Sequence, residues 1–307
     1  MPSPFVATAY RGGAALARVL PRRGVDGVAR LLSKAAVAVS KERRLLAQRH
    51  LQRAVGHSLP PNELRRRVVQ MFDSYGRYWV DSFRLPDMTV EEIDDGIDYE
   101  GFDHVLDSVA QGVGPIVVLP HLGGWEWAGF WLTVVARIPV TVVVEPLEPP
   151  ELFEFFAEFR RQLGMNIVPL GPDAGTAVLN AIKAGHVVCL LADRDIEHNG
   201  VEVEFFGERT TLPAGPATLA LRCRAPLLPC AAYFKPEGGI FCKLEPPLTV
   251  ERREKRLRDD VARITQDLAH RLEALIGAAP EQWHLQQPNW PSDWDALDAI
   301  GKPHPRP

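Results

Sequence analysis

Residues 114–131, GPIVVLPHLGGWEWAGFW, decide how this chain is read. Ile116–Leu119 is an apolar run without polar alternation, the look of a strand covered on both faces. It ends at Pro120, directly before His121. The same signature returns in IPVTVVVEP (138–146), MNIVPL (165–170), HVVCLLAD (186–193), APLLPCAAYF (225–234) and GIFCKLEP (239–246), with helical stretches between. Strands alternating with helices predict an α/β fold, a mostly parallel, mixed central sheet flanked by helices. The last two runs lie close together around Gly238-Gly239 and predict a closing hairpin.

Upstream of this core, residues 1–90 read as helices. In PNELRRRVVQMFDSYGRYWVDSFRLP (61–86), Val68, Met71, Phe72, Tyr75, Tyr78 and Trp79 recur at helical spacing. Downstream, 251–276 predicts a helix rich in Arg and Asp, and the stretch after 290 reads as an irregular tail. We find neither an internal repeat nor a linker, so the expectation is one domain over 1–307. Its parts are a helical region (1–90), an α/β core (91–290) and a tail (291–307).

Charge is divided unevenly. Residues 1–70 hold 14 Lys and Arg against 3 Asp and Glu, and of the chain's 35 and 39 the rest holds 21 against 36. PFVATAYRGGAALARVLP (4–21) and GVARLLSKAAVAV (27–39) mix small, apolar and basic residues at helical spacing. That is the pattern of a helix lying on an anionic membrane surface, and equally of a solvated helix face. No aromatics are interleaved with the charge, and no nucleic-acid motif is present, so no nucleic-acid partner is expected. The N-terminus lacks a basic start followed by a sustained apolar stretch, and no window of about 18 residues is free of charge. A chain neither secreted nor membrane-spanning is expected. Cys189, Cys223, Cys230 and Cys242 show no C-x-x-C pairing and read as buried thiols.

His121 stands where ligands bind in open α/β sheets, at the carboxyl end of a strand. Glu126 follows at H-x-x-x-x-E spacing. If Gly123 and Gly124 open a helix, the Glu126 carboxylate lies about one turn in and could reach back to the imidazole, making a general base. The same spacing suits a histidine that merely caps the first turn. Asp193, Arg194 and Asp195 end a second apolar run at the same sheet edge, where a carboxylate could steady an imidazolium or a surface ion pair could form. Pro213 and Gly215 stand before a predicted helix whose amides could hold an anion. The loop after His121 is the other position for an oxyanion site. His186 reads as a packed residue. His284, between aromatics in EQWHLQQPNW (281–290), reads as tail packing or as part of an acceptor groove. No nucleophile elbow, Walker loop, dinucleotide fingerprint or zinc spacing is present, and no metal site is expected.

LPHLGGWEWAGFWL (119–132), FAEFRRQLGMNIVPL (156–170), LLADRDIEHNGVEVEFFGERTTLPAGPATLAL (190–221) and EQWHLQQPNW together resemble the actinobacterial phosphatidylinositol mannoside acyltransferases. These lie within the wider family of bacterial lipid A late acyltransferases, marked by H-x4-D/E. The resemblance runs from AYRGGAALARVLP (9–21) to the late tryptophans. It implies transfer of a fatty acyl group, typically palmitoyl, from acyl-CoA to a mannose hydroxyl of a mannosylated phosphatidylinositol. It also implies a peripheral protein on the cytoplasmic face of the plasma membrane. Acyl-CoA is then a co-substrate, and no separate cofactor is implied.

By position, the resemblance makes His121 the catalytic base and Glu126 its motif's acidic partner. Asp193 falls where the family carries a catalytic Glu, and is shorter by a methylene. Arg160 and Asn199 match positions associated with acyl-CoA, and Arg194 is expected with Arg160 near the CoA phosphates. A family glutamate is replaced by Arg222, so that role is not carried over.

Overall fold

The computed structural model describes residues 5–302. Four helices come first: α1 (Phe5–Val19), α2 (Arg22–Val39), α3 (Lys41–Val55) and α4 (Pro61–Arg84). There follow α5 (Val90–Asp95), β1 (Ile97–Glu100), α6 (Asp103–Ala110), β2 (Ile116–Leu119), α7 (Trp125–Val134), β3 (Val140–Val144), α8 (Pro150–Gln162), β4 (Asn166–Pro169), α9 (Ala174–Lys183) and β5 (Val187–Leu191). The last part holds β6 (Val201–Phe205), β7 (Glu208–Leu212), α10 (Gly215–Cys223), β8 (Leu227–Phe234), β9 (Ile240–Leu244), α11 (Leu257–Ala278) and α12 (Pro291–Ala299).

Seven strands form one sheet in the order β1-β9-β8-β2-β5-β3-β4, and β6 and β7 form a separate antiparallel hairpin. The pairings of β2 with β5 and β8, of β3 with β4 and β5, and of β1 with β9 are parallel, while β8 and β9 form the antiparallel closing hairpin. The mostly parallel α/β reading therefore holds. Its apolar runs are apolar because the sheet is covered twice. Ile116 and Val118 of β2 pack with α10 and α11 residues in one core, and Val117 and Leu119 pack with α7 residues in the other.

Three expectations need correction. The C-terminal stretch is not irregular throughout: Pro291 opens α12, whose Trp294 and Leu297 are buried. Residues 303–307 lie outside the described residues. The expected 251–276 helix begins later, at Leu257, and runs to Ala278, because 251–256 is a turn gathered by the Asp260 carboxylate, which accepts from the Arg253 and Glu254 amides. Strand β1 and the β6–β7 hairpin also exist where no strand was expected. Their exposed Asp98, Glu100, Glu202, Glu204 and Arg209 give them no continuous apolar run.

The N-terminal helices are joined to the core by charge and aromatics. Arg84 donates to the Ala17 and Leu20 carbonyls at the end of α1 at 2.7 and 3.0 Å, and Tyr10 meets Trp79 and Phe156 edge-on. The outer face keeps Leu16, Val19, Val28, Leu31, Leu32 and Val39 exposed. None of the described helices is long and apolar enough to cross a membrane.

Candidate active site

The register of two strands builds the centre of the site. Leu119 of β2 lies opposite Leu191 of β5. Each strand then continues two residues past its partner, which brings His121 and Asp193 side by side at one sheet edge. The chain from β5 goes on to β8, on the far side of β2, so this edge is a topological switch point, the expected ligand position in such sheets.

His121 Nδ1 lies 2.6 Å from Asp193 Oδ1, and its backbone amide donates to Oδ2 at 3.1 Å. Asp193 Oδ2 also accepts from the indole of Trp283 at 2.7 Å. Burial of Asp193 alone would raise its pKa, but His121 and Trp283 outweigh it and hold the carboxyl below its ordinary value. An ionised carboxylate can only accept, so Nδ1 is the donor in this contact, and in the neutral ring the lone pair is then on Nε2. The His121 side chain is 27% exposed, and it lines a cavity.

Glu126 does not steady this ring. Gly123, in the left-handed region at φ 61°, and Gly124 do open a helix. A Cβ on Gly123 would lie 2.0 Å from the Ala232 carbonyl oxygen, so only glycine passes β8 there. Glu126 is the second residue of α7, inside its first turn rather than one turn in, and its carboxylate faces α4 and α8. It accepts from Arg160 Nε at 3.0 and 3.2 Å, from Arg160 Nη2, and from the Tyr78 hydroxyl at 3.2 Å. Burial opposes the Arg160 charge, yet Glu126 raises its pKa above the ordinary value. Burial and the same carboxylate hold Tyr78 protonated. The acidic partner of His121 is Asp193, whose shorter side chain reaches it without difficulty.

The C-terminal segment closes the site from above. Trp283 bridges to Leu122, and the His284 amide donates to the His121 carbonyl at 2.7 Å. Asn289 Nδ2 donates to the Asp193 carbonyl at 3.1 Å. Asp293 then pins the segment to α3 through Arg49, His50 and Arg53 at 2.7, 3.1 and 2.9 Å. Burial would raise the Asp293 pKa, but His50 and the two arginines drive it far below the ordinary carboxylate range. Trp283 and Asp293 carry no local motif, and only the aromatic run at 281–290 marks the segment in the sequence.

His121 lines a chamber of about 460 Å³ that opens to solvent, together with Tyr75, Trp125, Arg160, Arg194, Asn199 and His284. A second, narrow apolar cavity of about 90 Å³ lies between α7 and the sheet, lined by residues of β2, β3, β5, β8 and β9. The two share Trp125, Val143, Val144, Arg160 and Leu191 as walls. At the chamber rim Arg194 pairs with Glu145 at 2.7 Å. Asn199 lies in a loop that Asp195 closes by accepting from the Gly200 amide and ties to β7 by accepting from the Thr211 hydroxyl, both at 2.8 Å. Arg222 is exposed on α10, and His186 bonds Thr141 at 2.9 Å away from the site.

Of the two expected oxyanion positions, the loop after His121 is ruled out by its own hydrogen bonds. The amides of Leu122, Gly123 and Gly124 are engaged by the carbonyls of Pro120, Gln282 and Ala232 at 2.7, 3.0 and 2.8 Å. The turn 213–216 does line the chamber; Pro213 and Pro216 bring no N–H to it, which leaves the Ala214 and Gly215 amides as the donors of that turn.

Comparison with known proteins gives consistent matches. The family model described as bacterial lipid A biosynthesis acyltransferase matches residues 1–292. The phosphatidylinositol mannoside acyltransferase of Mycolicibacterium smegmatis is 35% identical over 288 residues, covering 92% of this chain and 91% of the relative. The protein of the same name from Mycobacterium tuberculosis (strain CDC 1551 / Oshkosh) is 41% identical over 226 residues, 72% of this chain and 69% of its own. Its counterpart in strain H37Rv is 40% identical over the same span.

Proposed function

The chain belongs to the bacterial lipid A biosynthesis acyltransferase family, and from that premise we propose that it transfers a fatty acyl group, palmitoyl by preference, from acyl-CoA to a mannose hydroxyl of a mannosylated phosphatidylinositol. His121 is the general base. As the hydroxyl oxygen attacks the thioester carbonyl carbon, its proton passes to His121 Nε2 and a C–O bond forms. Collapse of the tetrahedral species breaks the C–S bond, and the proton leaves with the sulfur as CoA thiol. Asp193 holds the Nδ1 proton and offsets the imidazolium charge.

One observation carries this reading: an imidazole with its far nitrogen fixed by a buried carboxylate faces a chamber that adjoins an apolar cavity. The chamber suits a polar acceptor, and the apolar cavity suits the acyl chain, each buried methylene contributing about 0.8 kcal/mol. Arg194 and Asn199 at the rim fit the CoA moiety. Arg160 engages Nε and Nη2 with Glu126, so Nη1 is the part of it that remains for the donor. The exposed apolar residues of α1 and α2, with the basic bias of residues 1–70, support peripheral docking on the anionic cytoplasmic face of the plasma membrane.

The test is His121→Ala, shown by circular dichroism to be folded, assayed with palmitoyl-CoA and mannosylated phosphatidylinositol in mixed micelles. Loss of a positioned base lowers the rate by roughly 10²–10⁴-fold. Transfer near the wild-type rate would refute the mechanism. A wild-type protein that acylates a lysophospholipid and leaves the mannolipid untouched would move the acceptor and keep the chemistry.

A further inference from the structure

We propose that His284 is a second catalytic imidazole, an Nδ1–H donor that holds the thioester oxygen as it becomes an oxyanion beside His121. This rests on the acyl-transfer reading above. The reaction places a full negative charge on that oxygen, and a preorganised donor is needed to receive it. The backbone after His121 cannot serve, because the Leu122, Gly123 and Gly124 amides all bond other carbonyls, and the His121 amide bonds Asp193.

His284 lines the same chamber and is 5% exposed, and its Nδ1 is buried with no hydrogen-bond partner. Leaving such an atom unsatisfied is costly, and in native proteins it calls for an explanation. Its backbone is tied to that of His121, the amide donating to the His121 carbonyl, and Trp125 is a ring neighbour of both imidazoles, with each centroid 5.6 Å from its own. The other ring nitrogen, Nε2, meets the Ser74 hydroxyl at 2.9 Å. Ser74 Oγ has no other hydrogen bond among the described residues, and in this proposal it is the donor to Nε2, which places the ring proton on Nδ1. Burial among Tyr75, Tyr78, Trp125 and Phe234 keeps the ring uncharged, so it gives a hydrogen bond without competing with His121 for the substrate proton. Its pKa is lowered to about 3, by burial first and then by His121.

The test uses three variants whose polar atoms differ in place. In Asn the amide nitrogen follows Cβ and Cγ, as Nδ1 does, whereas in Gln it lies one bond further, toward the Nε2 position. Wild-type transfer from palmitoyl-CoA is measured first, and its absence would sink the acyl-transfer reading itself. Given wild-type transfer, His284→Ala and His284→Gln lower kcat by about 10²–10³-fold. KM for the donor stays within about threefold, since the bond strengthens only in the transition state. His284→Asn stays within about tenfold of wild type. A folded His284→Ala with kcat within threefold of wild type overturns the assignment, as does a His284→Gln as active as His284→Asn. Nitrogen-15 spectra of histidine-labelled wild type read the tautomer independently of any variant. An Nε2–H form for His284 refutes the proposal, and an Nδ1–H form supports it.

Discussion

Two buried carboxylates stand at two polar seams of this molecule, one where β2 and β5 end and one where α7 meets α4 and α8. At the first, Asp193 gathers a ring nitrogen, an indole and an amide, all uncharged donors apart from the ring it serves. At the second, Glu126 gathers a guanidinium and a phenol. The first leaves a basic nitrogen facing a chamber, and the second closes on itself as an ion pair. A carboxylate's job is set by the donors around it, and sequence spacing describes only its reach. Substitution should therefore separate the seams, activity failing at one and stability at the other.

The largest effect falls on Asp193→Asn. Two N–H groups, from Trp283 and His121, point at Oδ2. The Asn carbonyl must take that position, which turns its NH2 toward His121 Nδ1. Nδ1 then becomes the acceptor, and the ring proton moves to Nε2, removing the base. Such tautomer inversion costs about 10⁴-fold in kcat in a comparable dyad, and we expect a loss of roughly 10³–10⁴ with the melting temperature nearly unchanged. A melting point that collapses along with kcat would make Asp193 a structural residue.

Glu126→Gln should do the reverse. It leaves the Arg160 guanidinium, 19% exposed, without its counter-charge, and one-sided loss of a charged hydrogen-bonded partner costs about 1.5–3 kcal/mol. Urea unfolding measures this directly. Wild-type stability in Glu126→Gln, with activity lost as in Asp193→Asn, would restore Glu126 as the partner of His121 and erase the contrast.

These outcomes bear on what could be read before the structure. The core strands were legible because a doubly covered strand is apolar throughout, as Ile116–Leu119 is. The position of His121 at the carboxyl end of a strand was legible in the same way. Glu126 was misjudged in direction, because H-x4-E fixes the distance along a helix but not where the chain enters it. Gly123 at positive φ settles that entry. Trp283, 90 residues from Asp193, and Ser74, 210 residues from His284, left no local trace, since their roles arise from tertiary contact. Tyr78 was visible only as an apolar position of α4, although its hydroxyl reaches Glu126.

A third prediction concerns pH. Unfolded histidine titrates near about 6.5, and His284 in the fold near about 3. Between these values the unfolded state binds a proton that the folded state excludes, so stability is full above pH 6.5 and falls as pH falls. The slope is at most about 1.4 kcal/mol per pH unit, or roughly 2 kcal/mol between pH 7 and pH 5. Asp193 and Asp293 have depressed pKa values, and their contribution is lost only as pH drops below the ordinary carboxylate range. They do not act in this window. Urea midpoints at pH 7, 6 and 5 should fall less steeply for His284→Asn than for wild type, and parallel lines would show that His284 is not held uncharged.

The smallest effect belongs to the outer face of α1 and α2, where neither seam is involved. Arg11 and Arg30 are exposed, as are Leu31 and Leu32, so substitution there should change unfolding free energy by no more than about 0.5 kcal/mol. On vesicles containing phosphatidylinositol, each basic residue near the surface contributes about 1 kcal/mol, so Arg11→Gln or Arg30→Gln should weaken binding about fivefold. That loss should vanish at about 1 M salt, where charges are screened within about 3 Å. Leu31→Ser with Leu32→Ser should weaken binding to neutral and anionic vesicles alike, because the apolar contribution is indifferent to headgroup charge. Binding that responds to the arginines and not to the leucines means the helices rest on the headgroups. Sensitivity to both means that they enter the interface, and sensitivity to neither would remove this face from the membrane altogether.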